Sequence, residues 1–229
     1  MPDIDLAAGS VRELNQALHR LRADTNERLW RIANPNGAHS LAAGVDAPVS
    51  IEIEGHVGYY CAGMNKEARI CIHGNAGPGV AENMMSGFVH VSGDASQYAG
   101  ASGRGGLLRI DGNASSRCAI SLKGLDVIVQ GSVGHMSAFM AQAGRLVVFG
   151  DAGDALGDSL YEAELYVRGS VKSLGADCIE KPMEPVHVSA LAELFARAGL
   201  NGEADPAAFR RYGSARKLYN FHIDNVGAY

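Results

Sequence analysis

Histidine and cysteine are the residues of this chain whose chemistry could support catalysis or metal binding. His73 and His90 stand at outward positions of short apolar–x–apolar segments, and His56 follows a glycine at a polar turn position. Cys61 and Cys118 occupy equivalent positions of an internal repeat, three repeats apart, which is about 14 Å at the spacing of stacked strands. That distance excludes a disulfide and a shared metal ion. The sequence therefore predicts no catalytic, cofactor-binding or metal-binding residue in this chain.

Two further segments could bind a ligand. The glycine-rich stretch at 100–106 has the composition of a phosphate-binding loop, but no helix pattern follows it, so a turn is the favoured interpretation. Met84, Met85 and the segment 136–140, with a methionine at each end, would suit an adaptable binding surface. Packing in a hydrophobic core is the interpretation we favour for them.

A repeat of 19 residues must position all of these side chains. The pattern apolar–x–apolar–x–Gly recurs without insertion or deletion, and each of its glycines follows the last by 19 residues. A short alternation that ends at glycine predicts a strand and a turn, and 19 residues leave no room for a helix between parallel strands. Each repeat is therefore predicted to be one coil of a solenoid. The predicted structural turn glycines are Gly55, Gly74, Gly93, Gly112, Gly131, Gly150 and Gly169.

Stacked coils place equivalent residues in columns. The residue after each glycine is short and polar or a histidine, which predicts a ladder of side chains bonded to turn backbone. The residue seven positions after each glycine is alanine or glycine, which predicts a narrow corner. Hexapeptide periodicity and a leucine-rich-repeat signature are both absent. The columns favour an all-β solenoid, a right-handed parallel β-helix of about seven 19-residue coils with short flanking α-helices.

The chain divides into three predicted segments. Residues 1–29 form an N-terminal helical segment, with a helix from 11 to about 23 that starts at a capping box of Ser10 and Glu13. Residues 30–185 form the β-helix, including an irregular lead-in that covers the open end of the first coil. Residues 186–229 form C-terminal helices and a tail.

The C-terminal segment is predicted to contain two helices. The first opens at Ser189 and stops at Gly199, after Pro185 has broken the repeat. The second begins at Asp205 and ends near Gly213. The basic and aromatic tail at 216–223 would either pack on the solenoid or dock on a partner.

One outward stripe of the strands favours an interaction. Outward positions are mostly polar in the first four coils and become apolar in the next three. An apolar stripe of this length needs a cover, which either the C-terminal helix of this chain or another subunit could supply. The possible interface residues are Ile128, Val147, Phe149 and Tyr166.

Composition excludes several classes of partner. The 229 residues carry a net charge of −5 and no lysine- or arginine-rich block, which argues against nucleic-acid binding. No apolar run approaches the roughly 20 residues of a membrane span. The acidic start of the chain does not fit a secretory signal, so the expected location is cytoplasmic.

Three segments carry a resemblance to a known family, GHVGYYCAGMNK at 55–66, AENMMSG at 81–87 and GSVGHMSAFM at 131–140. They resemble the C-terminal β-helix (GXGXG) domain family of the glutamate synthase large subunit. Within that family the chain is most similar to the stand-alone form found as a separate subunit of N-methylglutamate synthase, the methylamine–glutamate N-methyltransferase type. The likeness spans about residues 30–225.

The resemblance implies a non-catalytic structural subunit of a hetero-oligomer. Such a subunit would brace a class II glutaminase-like subunit against an FMN-dependent glutamate synthase-like subunit, and the FMN and the iron–sulfur cluster would lie in that partner. Pro2 follows the first methionine, so no N-terminal cysteine nucleophile is expected here.

Two alternatives remain open. One is a β-helix subunit of a formylmethanofuran dehydrogenase-like redox complex. The other is an independent carbohydrate-active β-helix, which would need clustered carboxylates, whereas Glu52, Glu54 and Asp111 are scattered over four coils.

Overall fold

The structure, a computed structural model, describes residues 3–216. The predicted tail at 216–223 therefore lies outside the described residues except for Arg216. Within the described residues, eleven strands form one sheet, flanked by two α-helices and one 3₁₀ turn. The elements are β1 (Asp3–Asp5), α1 (Val11–His19), β2 (Leu29–Ala33), β3 (Ser50–Glu54), β4 (Arg69–Ile72), β5 (Phe88–Val91), β6 (Leu107–Ile110), β7 (Lys123–Val129), β8 (Ala143–Val148), β9 (Glu164–Val167), β10 (Cys178–Lys181), α2 (Pro185–Ala198), the 3₁₀ turn Pro206–Ala208, and β11 (Arg210–Ser214).

Strands β1 to β9 are parallel and lie side by side in chain order. From β3 to β9 each strand pairs with the next at an offset of 19 residues, as in the pairs Ile51–Ile70 and Leu146–Leu165. Inward residues of these strands fill one continuous core in which most side chains are fully buried. The register confirms the predicted parallel β-solenoid of about seven turns.

The lead-in is more regular than its sequence predicts. Strand β2 pairs in parallel with β3, with Trp30 opposite Ile51, and β1 pairs in parallel with β2. Trp30 and Ile32 are buried while Arg31 between them is exposed, so the segment alternates as a strand does. The irregular interpretation was wrong for residues 30–33, because β2 pairs at an offset of 21 residues and escapes a search for a 19-residue period; residues 34–48 contain no strand or helix.

The buried corner column has a backbone reason for its small residues. Its first six members combine full or nearly full burial with φ values between 55° and 68°. Side chains larger than a methyl group have no space there, and the left-handed region disfavours most residues. The predicted narrow corner is confirmed. These six residues are Ala62, Ala81, Gly100, Ala119, Ala138 and Gly157.

Helix α1 closes the N-terminal end of the core. The predicted capping box is present, since Glu13 N donates to Ser10 Oγ and Ser10 N donates to Glu13 Oε2. Leu14 and Leu18 are the buried residues of the helix. The helix ends at His19 rather than near residue 23, because the chain must turn back there to begin β2.

The Asn15 side chain forms the two hydrogen bonds that the backbone of a preceding coil would form inside the stack. Its amide nitrogen donates to Ser40 O at 2.8 Å, and its oxygen accepts from Ala42 N at 3.0 Å. The backbone of 40–42 would otherwise have these two polar groups unpaired at the end of the stack. Asn15 therefore links the helix to the end of the solenoid by hydrogen bonds.

Replacement of Asn15 by alanine is expected to destabilise the chain by about 1–3 kcal/mol, because two partly buried backbone groups lose their partners. Urea unfolding measures the effect. The matched control is Gln16→Ala, at an exposed position of the same helix, which we expect to change the stability by less than about 0.5 kcal/mol. Equal losses in the two variants would show that Asn15 has no capping role.

The C-terminal elements differ from their predictions. Helix α2 begins at Pro185, not at Ser189, because proline at the first helical position loses no hydrogen bond. Its stop at Gly199 is confirmed, with φ 71°. The predicted helix after Asp205 was wrong beyond Ala208. The chain instead forms β11, which pairs antiparallel with β9 and β10 because the last parallel strand leaves an edge to be paired.

Candidate functional site

The turn glycines lie directly over one another along the solenoid. Gly112 N donates to Gly93 O at 3.1 Å. A Cβ at Gly112 would lie 2.8 Å from both the carbonyl carbon and the carbonyl oxygen of Gly93 and would also meet the Asp94 carboxylate. Glycine is required here by the close approach of neighbouring coils. The same kind of clash with the preceding coil would arise at Gly74, Gly93, Gly131, Gly150 and Gly169.

The polar residues that follow these glycines form the predicted ladder. Each side chain accepts a hydrogen bond from the backbone N–H of the equivalent residue in the next coil, at 2.7–2.9 Å. Each therefore satisfies a turn donor that stacking alone would leave without an intramolecular partner. The ladder thus holds neighbouring coils together by side-chain hydrogen bonds. Its acceptors are His56, Asn75, Asp94, Asn113, Ser132 and Asp151, and its last donor is Ser170.

The apolar stripe is covered by helix α2 of the same chain. Ile128, Val147, Phe149 and Tyr166 are each at most 4% exposed, and they share a second core cluster with the buried face of α2. Of the two covers considered from the sequence, the structure shows the C-terminal helix. These four side chains are therefore not exposed for contact with another subunit. The helix contributes Leu191, Leu194, Phe195 and Ala198 to the cluster.

Charged groups fix α2 on the sheet. Asp126 is 6% exposed and binds the Arg145 guanidinium through two bonds of 2.8 and 2.9 Å, and it also accepts from Arg197 of α2 at 3.0 Å. At the other end of the helix, His187 Nε2 lies 3.7 Å from Glu164 Oε1 on the sheet. The Glu164 carboxylate also accepts from the Tyr166 hydroxyl at 2.9 Å. Burial and the Glu164 carboxylate raise the pKa of that hydroxyl, so Tyr166 stays protonated and acts as a donor.

The histidines of the outer face are paired with acids. His73 Nε2 lies 2.7 Å from Glu52 Oε2, and His90 Nε2 lies 2.8 Å from Asp111 Oδ2. Asp111 also accepts a hydrogen bond from Arg109 Nε. The Nη1 atom of the same arginine donates to the carbonyl of Ala198 at the end of α2. Neither pair was predicted from the sequence, although each joins outward residues of adjacent coils.

All four cysteines are free and buried. Burial raises the pKa of the Cys61 and Cys118 thiols to about 12, and that of the Cys178 thiol to about 12. Burial and the neighbouring Glu52 carboxylate also raise the pKa of Cys71. A raised pKa keeps a thiol protonated and unreactive, so none of them has the environment of a nucleophile.

The folded chain is expected to react very slowly with a thiol reagent at pH 8, because the four thiols are buried and protonated. Absorbance with Ellman's reagent measures the reaction, and the control is the same protein in guanidinium chloride, where all four cysteines should react within minutes. Rapid modification of one thiol in the folded chain would contradict this prediction and would identify a reactive cysteine.

An exposed cluster of tyrosine and methionine occupies the turn face near the N-terminal end. We call it the tyrosine–methionine patch and define it as Tyr59, Tyr60, Met64 and Met85. Tyr59, Met64 and Met85 are 44–49% exposed. Core packing was the wrong interpretation for Met85, although Met84 is fully buried in the core. The alternation of inward and outward residues in the turns differs from that in the strands, so the sequence pattern did not reveal which methionine faces outward.

The methionines of 136–140 also lie outside the core. Met136 and Met140 are half-buried, and neither belongs to a buried core cluster of the described residues. The glycine-rich stretch at 100–106 forms the predicted turn, and β6 follows it directly. It therefore lacks the helix N-terminus on which a phosphate-binding loop depends.

Among residues 3–216, no three His, Cys, Asp or Glu side chains converge as metal ligands would. No helix in the same range combines the length and the apolar character needed to cross a membrane. The outer surface of these residues presents the paired histidines and the tyrosine–methionine patch, whereas the apolar stripe is covered by α2.

Comparison with known proteins gives one full-length relationship. No protein-family model matches the chain. The chain is 66% identical over 229 residues to protein GlxC of Rhizobium meliloti (strain 1021), and the alignment covers 100% of both proteins. The alignment therefore spans the whole solenoid and both helices. The chain therefore belongs to the same family as protein GlxC.

Proposed function

We propose that this chain is the non-catalytic structural subunit of an N-methylglutamate synthase-type complex. In this proposal it braces a class II glutaminase-like subunit against an FMN-dependent glutamate synthase-like subunit. The FMN and the iron–sulfur cluster belong to the second partner. The assembled complex forms N-methylglutamate from glutamate and methylamine in the cytoplasm.

The continuous parallel stacking of the solenoid strands is the observation on which the proposal rests. Nine parallel strands at about 4.8 Å per step form a rod with a length near 40 Å. Each coil is fixed to the next by strand pairing, by the glycine stack and by the polar ladder. A rod of this kind keeps two bodies at a constant separation, which is the property a bracing subunit needs.

The polar groups of the described residues support a structural role as well. Glu52 pairs with His73, Asp111 pairs with His90 and Arg109, and Asp126 pairs with two arginines. The cysteines are protonated and enclosed. In this proposal the chemistry belongs to the partner chains, which supply the nucleophile and the acid–base groups that the reaction requires. The substrates are taken from the resemblance of segments 55–66, 81–87 and 131–140 to the glutamate synthase family.

Purification of the tagged chain from its native host tests the proposal. We expect a glutaminase-like chain and a flavin-containing chain to co-purify, with the absorption of FMN and of an iron–sulfur cluster. The complex should form N-methylglutamate from glutamate and methylamine, and the isolated chain should form none. Turnover of any substrate by the isolated chain would contradict the structural role.

The same purification separates the alternatives. A molybdenum- or tungsten-containing partner would indicate the formylmethanofuran dehydrogenase-like complex. Cleavage of a polysaccharide by the isolated chain would indicate the carbohydrate-active β-helix.

A further inference from the structure

The tyrosine–methionine patch spans two adjacent coils. Met64 N donates to Glu82 O at 2.8 Å, and Met85 N donates to Asn65 O at 2.8 Å, so the chain segments that bear the two methionines are hydrogen-bonded to each other. The Tyr59 and Tyr60 ring centroids are 5.5 Å apart. Exposed large apolar side chains grouped on one surface often mark interaction sites.

The carboxylate of Glu82 lies at the edge of this patch. A Cβ at Gly79 would lie 2.8 Å from Glu82 Oε2 and 3.5 Å from Cε2 of Tyr59, so the carboxylate and the ring flank the same α-carbon. Glu82 is half-buried, and burial raises the pKa of its carboxyl group. Among residues 3–216 it has no ion-pair partner, whereas Asp46 is paired with Lys66 at 2.9 Å.

An unpaired carboxylate beside an exposed aromatic ring is a suitable binding site for a cationic side chain. A lysine or arginine side chain can form a charge-assisted hydrogen bond to the carboxylate and at the same time lie over the ring. Met64 and Met85 can adjust their rotamers to an apolar surface around that cation. Both features therefore specify a basic residue within an apolar segment.

We propose that the tyrosine–methionine patch and Glu82 bind an apolar segment of a partner protein that presents a lysine or arginine to Glu82 and Tyr59. The inference rests on the proposed function only in requiring a partner chain; it does not depend on the substrate. A second copy of this chain is a poorer occupant, because in a symmetric contact the patch itself contains no lysine or arginine that could pair with Glu82 of the other copy.

Photochemical cross-linking in the native complex tests the occupant. Tyr59 is replaced by benzoyl-phenylalanine in the tagged chain, the complex is purified and irradiated, and the linked peptide is sequenced by mass spectrometry. We expect a peptide of a partner chain with a lysine or arginine among apolar residues. A link to a second copy, or to a peptide without a basic residue, would overturn the proposal.

Charge reversal tests the role of Glu82. In the Glu82→Lys variant we expect recovery of the cross-linked partner chain to fall by about tenfold or more. Reversal of the partner's basic residue to glutamate should restore it. The matched control is Glu203→Lys, at an exposed position far along the chain, which should leave recovery unchanged. Thermal melting of each variant verifies that the solenoid remains folded.

The outcomes separate this inference from the proposed function. Equal recovery of the partner chains with wild type and Glu82→Lys would exclude the patch while the structural role stands. Failure of the wild-type chain to bring down any glutaminase-like or flavin-containing chain would count against both.

Discussion

Replacement of Gly112 by valine is expected to cost more than about 3 kcal/mol of stability or to prevent folding. The valine Cβ alone would lie 2.8 Å from the Gly93 carbonyl, and two further methyl groups would force adjacent coils apart. Overpacking of an ordinary core costs about 1–3 kcal/mol, and here the obstacle is backbone that is hydrogen-bonded on both sides. Urea unfolding and the melting temperature measure the loss.

The neighbouring Asn113→Ala variant is the matched control. Asn113 is exposed, and its Oδ1 accepts from Ser132 N at 2.9 Å. Its removal deprives one turn donor of its partner, but water can reach that donor, so we expect a loss of about 1 kcal/mol. Comparable melting temperatures for the two variants would mean that the glycine column is not stacked as described.

The second large effect is expected at Phe195, in the last turn of α2. Its ring centroid lies 5.3 Å from that of Phe149 on the sheet and 5.6 Å from that of Phe209, and the side chain is 2% exposed. The Phe195→Ala change should cost about 3–5 kcal/mol, since a large cavity opens between helix and sheet. Urea unfolding measures the stability, and binding of the dye ANS reports exposure of the apolar stripe.

Val186→Ala is the control for that helix. Val186 is 65% exposed, and its truncation should change stability by less than about 0.5 kcal/mol and leave ANS binding unchanged. If Phe195→Ala were equally mild, α2 would not be the cover of the stripe.

Periodic features of this chain were predictable because stacking repeats the same environment in every coil. A Cβ at Gly112 would meet the backbone of the preceding coil just as one at Gly93 or Gly131 would. Glycine therefore recurs at intervals of 19 residues, and this period can be recognised in the sequence. The corner residue 119 shares its left-handed φ with residues 81 and 138. The solenoid, the polar ladder and the narrow corner could therefore all be derived from the spacing of residue types.

Non-periodic features were harder to predict. The apolar stripe indicated that a cover was needed, but burial of apolar area is non-directional and does not identify the occupant. Pro185 was interpreted as a break, although the same fixed φ suits the first residue of a helix. The β11 strand depends on the free edge of β9, which local sequence does not encode. The pair of His90 and Asp111 required the strand register before it became visible.

Helix α2 makes the two halves of the rod unequal in their resistance to opening. It runs from Glu164 on β9, which His187 approaches to 3.7 Å, to Arg109 on β6, which binds the carbonyl of Ala198. One rigid element of about 21 Å thus ties four coils together. Apart from Phe88 of β5, which packs against the cluster beneath α2, the coils before β6 are held by their immediate neighbours and by the α1 cap. We therefore expect fraying of the rod to begin at the end that bears the tyrosine–methionine patch, and a partner bound there to stabilise the less cooperative half of the molecule.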